Sequence, residues 1–364
     1  MSGRAVRGEA MKGLAPIRGR GASGNVANRF EQIDYVPDDE HGELDPNRPR
    51  TLFLRDASKS IIVYNDSPDV GFDASINPYR GCEHGCIYCY ARPTHEFLGF
   101  SAGLDFETRI MVKENAPELL REALASPKWV PQVVAISGVT DPYQPVERKL
   151  ELTRRCLEVF LEHRNPVVII TKNRLVTRDV DVLAEMAKHS CAAVFVSVTT
   201  LDLGLNRVLE PRTSSPAQRL DAIAQLSAAG VPVGTLVAPV IPGLTDHEIA
   251  PILEAVTGAG ARFAGYVALR LPYAVAPLFE QWLEEHYPDR REKVLNRVRS
   301  MRAGKLYDSS YGKRMRGEGP FAEQIARMFE VACRKAGILG RHAPLSTEHF
   351  RVPQRTGDQM GLFG

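Results

Sequence analysis

The chain has 364 residues, 44% apolar and 25% charged, with a formal net charge of +2. That composition excludes a fibrous or low-complexity chain, gives no reason from overall charge to invoke nucleic acid, and allows one large α/β domain or two small ones. No apolar run approaches the ~18 residues of a membrane span and no signal-peptide core opens the chain, so a cytoplasmic protein with no membrane partner is expected.

Residues 1–50 read as a disordered arm. Arg4, Arg7, Lys12, Arg18, Arg20 and Arg29 face one acid, Glu9, and an acidic stretch with Asp38, Asp39, Glu40, Glu43 and Asp45 follows. Order is expected from about Thr51, with extended structure over 52–63. Apolar segments then alternate in type. Helices are expected over 116–125, 148–163, 177–188, 216–229 and 247–258, the last begun by Asp246 as N-cap. Strands are expected over 74–77, 132–137, 166–171, 192–199, 231–239 and 263–271. Their continuously apolar character, as in Val167-Val168-Ile169-Ile170, means cover on both faces and a parallel sheet. In β/α barrels the site is built from the loops at the strands' C-terminal ends. Further helices are expected over 278–286, 291–302 and 320–335, followed by a polar tail. The loop 304–319 interleaves Lys305, Lys313, Arg314 and Arg316 with Tyr307 and Tyr311. It reads equally as a nucleic-acid contact and as a solvated basic loop.

The first strand leads into Gly81-Cys82-Glu83-His84-Gly85-Cys86-Ile87-Tyr88-Cys89-Tyr90. Cys82, Cys86 and Cys89 have C-x3-C-x2-C spacing. Three thiolates can converge on one metal centre but leave it one ligand short of four. A zinc site with His84 as fourth ligand is the competing reading, set against by the tight spacing of His84 between two of the cysteines. Cys156, Cys191 and Cys333 sit singly in apolar segments, the usage of buried thiols in a reducing compartment.

With an aromatic residue before the third cysteine, this loop resembles that of the radical S-adenosylmethionine (radical SAM) superfamily, and in particular the spore photoproduct lyase-like branch. Supporting segments occur in order: 137–147, Thr171-Lys172-Asn173, Ser197 to Thr200, Leu209-Glu210-Pro211-Arg212 and 239–246. The resemblance implies a partial (β/α)6 TIM-like barrel over 51–275, a helical extension over 276–345 and a mobile tail over 346–364. It implies an enzyme in which Cys82, Cys86 and Cys89 hold a [4Fe–4S] cluster whose open iron binds S-adenosyl-L-methionine (SAM). One-electron reduction then yields methionine and a 5′-deoxyadenosyl radical, the electron coming from a reductant such as flavodoxin or ferredoxin. By the same resemblance Tyr88 contacts adenine. Ser137, Gly138, Thr140 and Asp141 lie where the SAM amino group is received, although only one glycine is present and the acid is Asp141. Ser197 and Thr199 are candidates for ribose or carboxylate contacts, and Ile241 and Gly243 lie along adenine. Lys172 and Arg212 are candidates for the SAM carboxylate or a substrate phosphate, and Tyr143, with Tyr88 and Tyr90, for a radical relay. Glu147 is read more readily as a solvated or helix-terminal charge.

The lyase resemblance points to damaged or modified DNA or other nucleic acid as the substrate. A small molecule or peptide is the alternative, and a non-catalytic metal-binding protein is a third reading. At the C-terminus Gln359, Leu362 and Phe363 resemble the pentapeptide with which bacterial proteins bind the sliding clamp.

Overall fold

The computed structural model describes residues 16–31, 49–338, 340 and 345–353. The strands in chain order are β1 (Leu52–Arg55), β2 (Ile62–Tyr64), β3 (Ala74–Ile76), β4 (Tyr79–Arg80), β5 (Arg109–Val112), β6 (Val134–Ile136), β7 (Val167–Thr171), β8 (Ala192–Ser197), β9 (Val233–Val240) and β10 (Phe263–Ala268). Seven of them form one sheet in the order β10-β9-β8-β7-β6-β3-β2. The six from β3 to β10 are parallel and adjacent in sequence order, and β2 adds antiparallel to β3. The sheet is therefore the six-unit β/α array expected from the apolar strands. It is open, since β10 and β3 are its parallel ends and do not pair among the described residues.

The register shows why small residues recur in it. Gly234 on β9 faces Phe263 on β10, and a Cβ there would come within 2.0 Å of the Phe263 ring. The missing side chain lets Phe263 cross β9 and meet Phe195 on β8, with ring centroids 5.0 Å apart. Helices 116–124, 152–163, 180–187, 216–228 and 249–258 supply the apolar cover. The expected helix over 148–163 is broken at Glu151, whose left-handed φ of 51° separates two pieces. Asp246 does not cap the helix 249–258. Its carboxylate takes Arg297 at 3.0 Å, and Glu248 occupies the cap position.

Two features have no counterpart in the sequence pattern. A second sheet, β1-β5-β4, clamps Tyr79–Arg80 immediately before the Cys loop. A helix, Leu203–Leu209, begins where Asp202 accepts from the backbone N–H groups of Gly204 and Leu205. Two segments expected to be disordered or mobile make defined contacts. Residues 16–31 lie against the Cys loop, with Gly24 O accepting from Leu104 N at 3.0 Å and Gly21 closely packed on Gly85. In 345–353, Ser346 N donates to Ser190 O at 2.9 Å and Arg351 N to His163 O at 2.9 Å. The clamp-type peptide at Gln359, Leu362 and Phe363 lies outside the described residues. Among the described residues no helix is long and apolar enough to cross a membrane.

Candidate active site

Strand β3 ends at Ile76, and the chain then turns through β4 into the Cys loop. Gly81 adopts a φ of +79°, and any Cβ there would press on His95 and on the Phe106 carbonyl. The loop is held from all sides. Cys82 N donates to Phe106 O at 2.8 Å, Cys89 N to Cys86 O at 3.2 Å and Ile87 N to Leu209 O at 3.2 Å. The Arg92 guanidinium donates to Cys86 O, Ala102 O and Gly103 O, and pairs with Glu107, both side chains being fully buried. The same Glu107 carboxylate accepts from Gly21 N and Ala22 N. A buried carboxylate so surrounded ties the N-terminal strap to the loop beneath it.

All three cysteines are free. Cys82 and Cys86 are buried and Cys89 is half-buried. The Cys86 and Cys89 thiols are pushed up, by burial first and then by neighbouring acidic groups, including the other loop cysteines. Thiolates there need a cationic partner, which is what a bound metal cluster provides. Both ring nitrogens of His84 are committed: Nδ1 faces Asp141 Oδ2 at 3.4 Å and Nε2 meets Asn173 Nδ2 at 3.1 Å. His84 therefore does not complete a zinc site. Among the described residues no three His, Cys, Asp or Glu side chains converge on a single ion. The donor set of three thiols, each free for its own iron, fits an iron–sulfur cluster.

The sequence-derived candidates separate into groups. Asp141 is saturated: it accepts from Thr171 Oγ1 at 2.7 Å, Lys172 N at 2.8 Å and Tyr143 N at 2.9 Å, besides facing His84. Burial would raise its carboxyl, but His84 together with the Thr171 and Lys172 N–H hydrogen bonds brings the group down to about 2; burial would likewise lower His84, which Asp141 and Cys82 bring up to about 10. Thr140 and Arg212 brace the loop. Thr140 Oγ1 donates to Gly81 O at 2.6 Å, and Arg212 pairs with buried Glu83 at 3.1 Å. Glu83 also accepts from Val146 N and Thr51 Oγ1. Ser137 Oγ donates to Thr140 O at 3.3 Å, and Gly138 has a φ of +137°, where a Cβ would meet Asn77 only at ordinary contact distance.

Tyr143 does not reach an open site. Its ring is fully buried in the main core, and its hydroxyl donates to Asp179 at 3.0 Å. Glu147, read from the sequence as solvated, is also buried and binds Arg178 and Tyr79. Ile241, by contrast, joins Cys86, Ile87 and Tyr88 in a second apolar cluster beside the loop, and Gly243 sits two residues on with a φ of +86°. Lys172 brings its ammonium to 5.9 Å from the Tyr88 ring centroid, and its charge helps depress the Glu210 carboxyl after Arg219.

Glu210 and Arg219 are functional-site residues that sequence reasoning missed. Glu210 is buried and accepts from the Tyr88 hydroxyl, Thr199 Oγ1 (2.8 Å), Asn206 Nδ2 (3.0 Å) and Arg219. Arg219 Nη1 also donates to Ser197 O at 3.0 Å. This network fixes the Tyr88 ring and the β8 end against each other. The only sequence signal for it was the Leu-Glu-Pro-Arg segment, where Arg212 drew attention instead of the acid beside it.

Comparison with known proteins agrees with this geometry. The family model for the radical SAM superfamily matches residues 76–256. An uncharacterised protein of Mycobacterium tuberculosis (strain CDC 1551 / Oshkosh) is 35% identical over 287 residues, 78% of this chain and 80% of its own. A radical SAM Nalpha-GlyT isomerase of Pseudomonas phage M6 is 27% identical over 271 residues, 73% of this chain and 53% of that protein. Among solved structures, a spore photoproduct lyase mutant with bound AdoMet and dinucleoside spore photoproduct superposes with a TM-score of 0.59 at 17% identity, covering 84% of this chain and 85% of the other. That superposition shows a shared fold. The chain belongs to the radical SAM superfamily of enzymes, whose cofactors are a [4Fe–4S] cluster and SAM.

Proposed function

We propose that the protein cleaves SAM by radical chemistry in order to repair or modify a nucleic acid. The observation that carries the reading is the Cys loop: three free thiols at the end of β3, with both His84 nitrogens engaged elsewhere. Cys82, Cys86 and Cys89 would each hold one iron of the cluster. Cluster and SAM together supply, when bound, reductive cleavage of the sulfonium C–S bond to methionine and a 5′-deoxyadenosyl radical that takes a hydrogen atom from the substrate.

The chain's own residues position and exclude water. Lys172 offers its ammonium to the SAM carboxylate, since Arg212 is committed to Glu83. Tyr88, tied through its hydroxyl to Glu210, and Ile241 form an apolar wall for adenine. Ser197 and Thr199 bring the β8 end to the same wall. Asp141 holds His84 inside the loop, so its contribution to the SAM amino group would be indirect. Residues 51–275 would form the catalytic unit and 276–345 an extension beside its mouth. A flavodoxin or ferredoxin is a suitable electron source. The substrate class rests on likeness to a lyase fold whose structure holds a dinucleoside lesion.

Anaerobic reconstitution with iron, sulfide, SAM and dithionite tests the chemistry. The wild-type protein should release 5′-deoxyadenosine and Cys86→Ala should release none, with its iron–sulfur absorbance lost. Equal behaviour of the two proteins would falsify the reading. Deuterium passing from labelled damaged DNA into 5′-deoxyadenosine would then identify the substrate; transfer only from a small molecule or peptide would replace it.

A further inference from the structure

Beyond the Cys loop, the structure gathers two arginines that have no ion pair among the described residues. Arg270 follows β10, half-buried, with its guanidinium carbon 4.4 Å from the centroid of the Tyr90 ring, next to Cys89. Among the described residues it has no ion pair. Arg302 is only 3% exposed; its Nη2 donates to Leu269 O at 2.6 Å, while its Nη1 has no hydrogen-bond partner. The two guanidiniums repel each other, and the acid that acts on Arg302 is Asp308. A guanidinium left buried without a full set of acceptors is costly, so the arrangement is one that an incoming anion would complete. The basic loop singled out in the sequence contributes less than its composition promised. Arg314 pairs with Asp69 at 2.6 Å and Lys313 with Glu318 at 3.0 Å, whereas Arg316 lies over the Tyr266 ring at 5.0 Å and, like Lys305, has no ion pair among the described residues. What the loop does supply is Tyr307, whose ring centroid lies 6.0 Å from that of Tyr273.

Aromatic rings continue from this pair of arginines. Tyr90 is 49% exposed and Tyr273 is 57% exposed. Tyr273 stands 6.0 Å from Tyr307, and the Arg29 guanidinium lies 3.8 Å from its ring centroid, although Arg29 also pairs with Glu96. Tyr273 has a left-handed φ of 48°, a conformation a bulky residue adopts at a cost. Single exposed aromatics are ordinary. Here guanidiniums lie against them, one ring is held in a strained conformation, and the chain of contacts starts at Tyr90 beside half-buried Cys89. Alternating cations and ring faces are what a flexible phosphodiester strand requires: acceptors for its charge and platforms for unpaired bases. A duplex keeps its base faces stacked internally and cannot use the rings.

We propose that this rim binds a single-stranded or locally unpaired stretch of nucleic acid, with one phosphate taken by Arg270, the buried Arg302 guanidinium behind it adding its charge, and neighbouring bases stacked on Tyr90 and Tyr273. The proposal rests on the nucleic-acid reading of the site and extends it to particular residues.

Fluorescence anisotropy with the reconstituted holoprotein, kept anaerobic, tests it. Probes are a labelled single-stranded oligonucleotide as DNA and as RNA, the matching duplex, and thymidine monophosphate as competitor. Single strands should bind, with affinity falling steeply as salt rises. Arg270→Gln should weaken binding about tenfold or more and flatten the salt slope, and Arg270→Lys should recover part of the loss. Tyr273→Ser should weaken binding by roughly five- to a hundredfold, as for a lost stacking platform. Lys128→Gln, an exposed lysine outside the rim, serves as the charge-matched control and should bind as wild type. The DNA and RNA arms distinguish the polymers. Failure of both to bind, a duplex bound as tightly as single strands, a nucleotide competing as well as the oligonucleotide, or full binding by Arg270→Gln with wild-type iron content would each overturn the proposal. Release of 5′-deoxyadenosine without nucleic acid is read in parallel. Its presence with no strand binding overturns the rim alone, and its absence overturns the radical reading.

Discussion

The two sides of the mouth are built on opposite terms. On the Cys-loop side four carboxylates are answered: Glu107 by Arg92 and two strap N–H groups, Glu83 by Arg212 and Val146 N, Asp141 by His84 and Thr171, Glu210 by Arg219 and Tyr88. On the β10 side, among the described residues, Arg270 has no ion pair and Arg302 Nη1 no hydrogen-bond partner, and Tyr273 is held in a strained conformation. A cofactor must be held in one geometry, so the acids that brace its cradle are paired in advance, even though His95 beneath the loop keeps both ring nitrogens without a hydrogen-bond partner among the described residues. A substrate arrives and leaves, so its surface carries groups that become satisfied only on binding. The difference predicts that substitutions on the first side cost stability, while those on the second cost binding.

The largest effect should come from Glu107→Ala. It strands the fully buried Arg92 and frees the strap at Gly21 and Ala22. Removing one partner of a buried pair costs about 3–5 kcal/mol. Urea unfolding should show that loss, with faster release of iron from the holoprotein. A loss below about 1 kcal/mol would mean the strap is not part of the loop's support.

A smaller effect follows from His95, fully buried beneath the loop between Phe100 and Phe106. Burial holds its imidazole down to about 4, with Asp105 opposing only in part. The unfolded chain takes up the proton near pH 6.5 and the folded protein only near 4, so stability is full above the unfolded value and declines as pH falls between them. By pH 5 the loss is about 2 kcal/mol. His95→Gln should flatten the decline in urea midpoint between pH 7 and pH 5, and an unchanged slope would assign it to other groups.

The parallel array was legible in the sequence because strands such as Val167–Thr171 carry an unbroken apolar run, here Val167 to Ile170, and neither face of that strand is exposed. The cysteines were legible because their ligand role depends on local spacing. The supporting charges were not, because a buried acid looks like a solvated one until its partner is known. Glu107 lies 86 residues from Gly21, and Glu210 lies 122 from Tyr88. Arg212 and Tyr143 illustrate the reverse error: reactive residue types near a motif, consumed by Glu83 and Asp179. The basic loop stayed open between two readings for the same reason, since sequence does not show that Arg314 and Lys313 have acids beside them while Arg270, an isolated arginine after a strand, has none among the described residues.

The sharpest break of the comparison is also its smallest energy. A left-handed conformation costs a bulky residue about 1–2 kcal/mol, whereas asparagine tolerates it. Tyr273 buries little of its ring, so its side chain returns little of that cost through packing. Tyr273→Asn should therefore leave thermal stability unchanged or raise it by up to about 1 kcal/mol while weakening strand binding. If Tyr273 instead serves the fold, through Arg29 and Tyr307, the same substitution lowers the melting temperature and the contrast between the two sides fails. Measuring both quantities on one variant separates a strain kept for binding from a contact kept for structure.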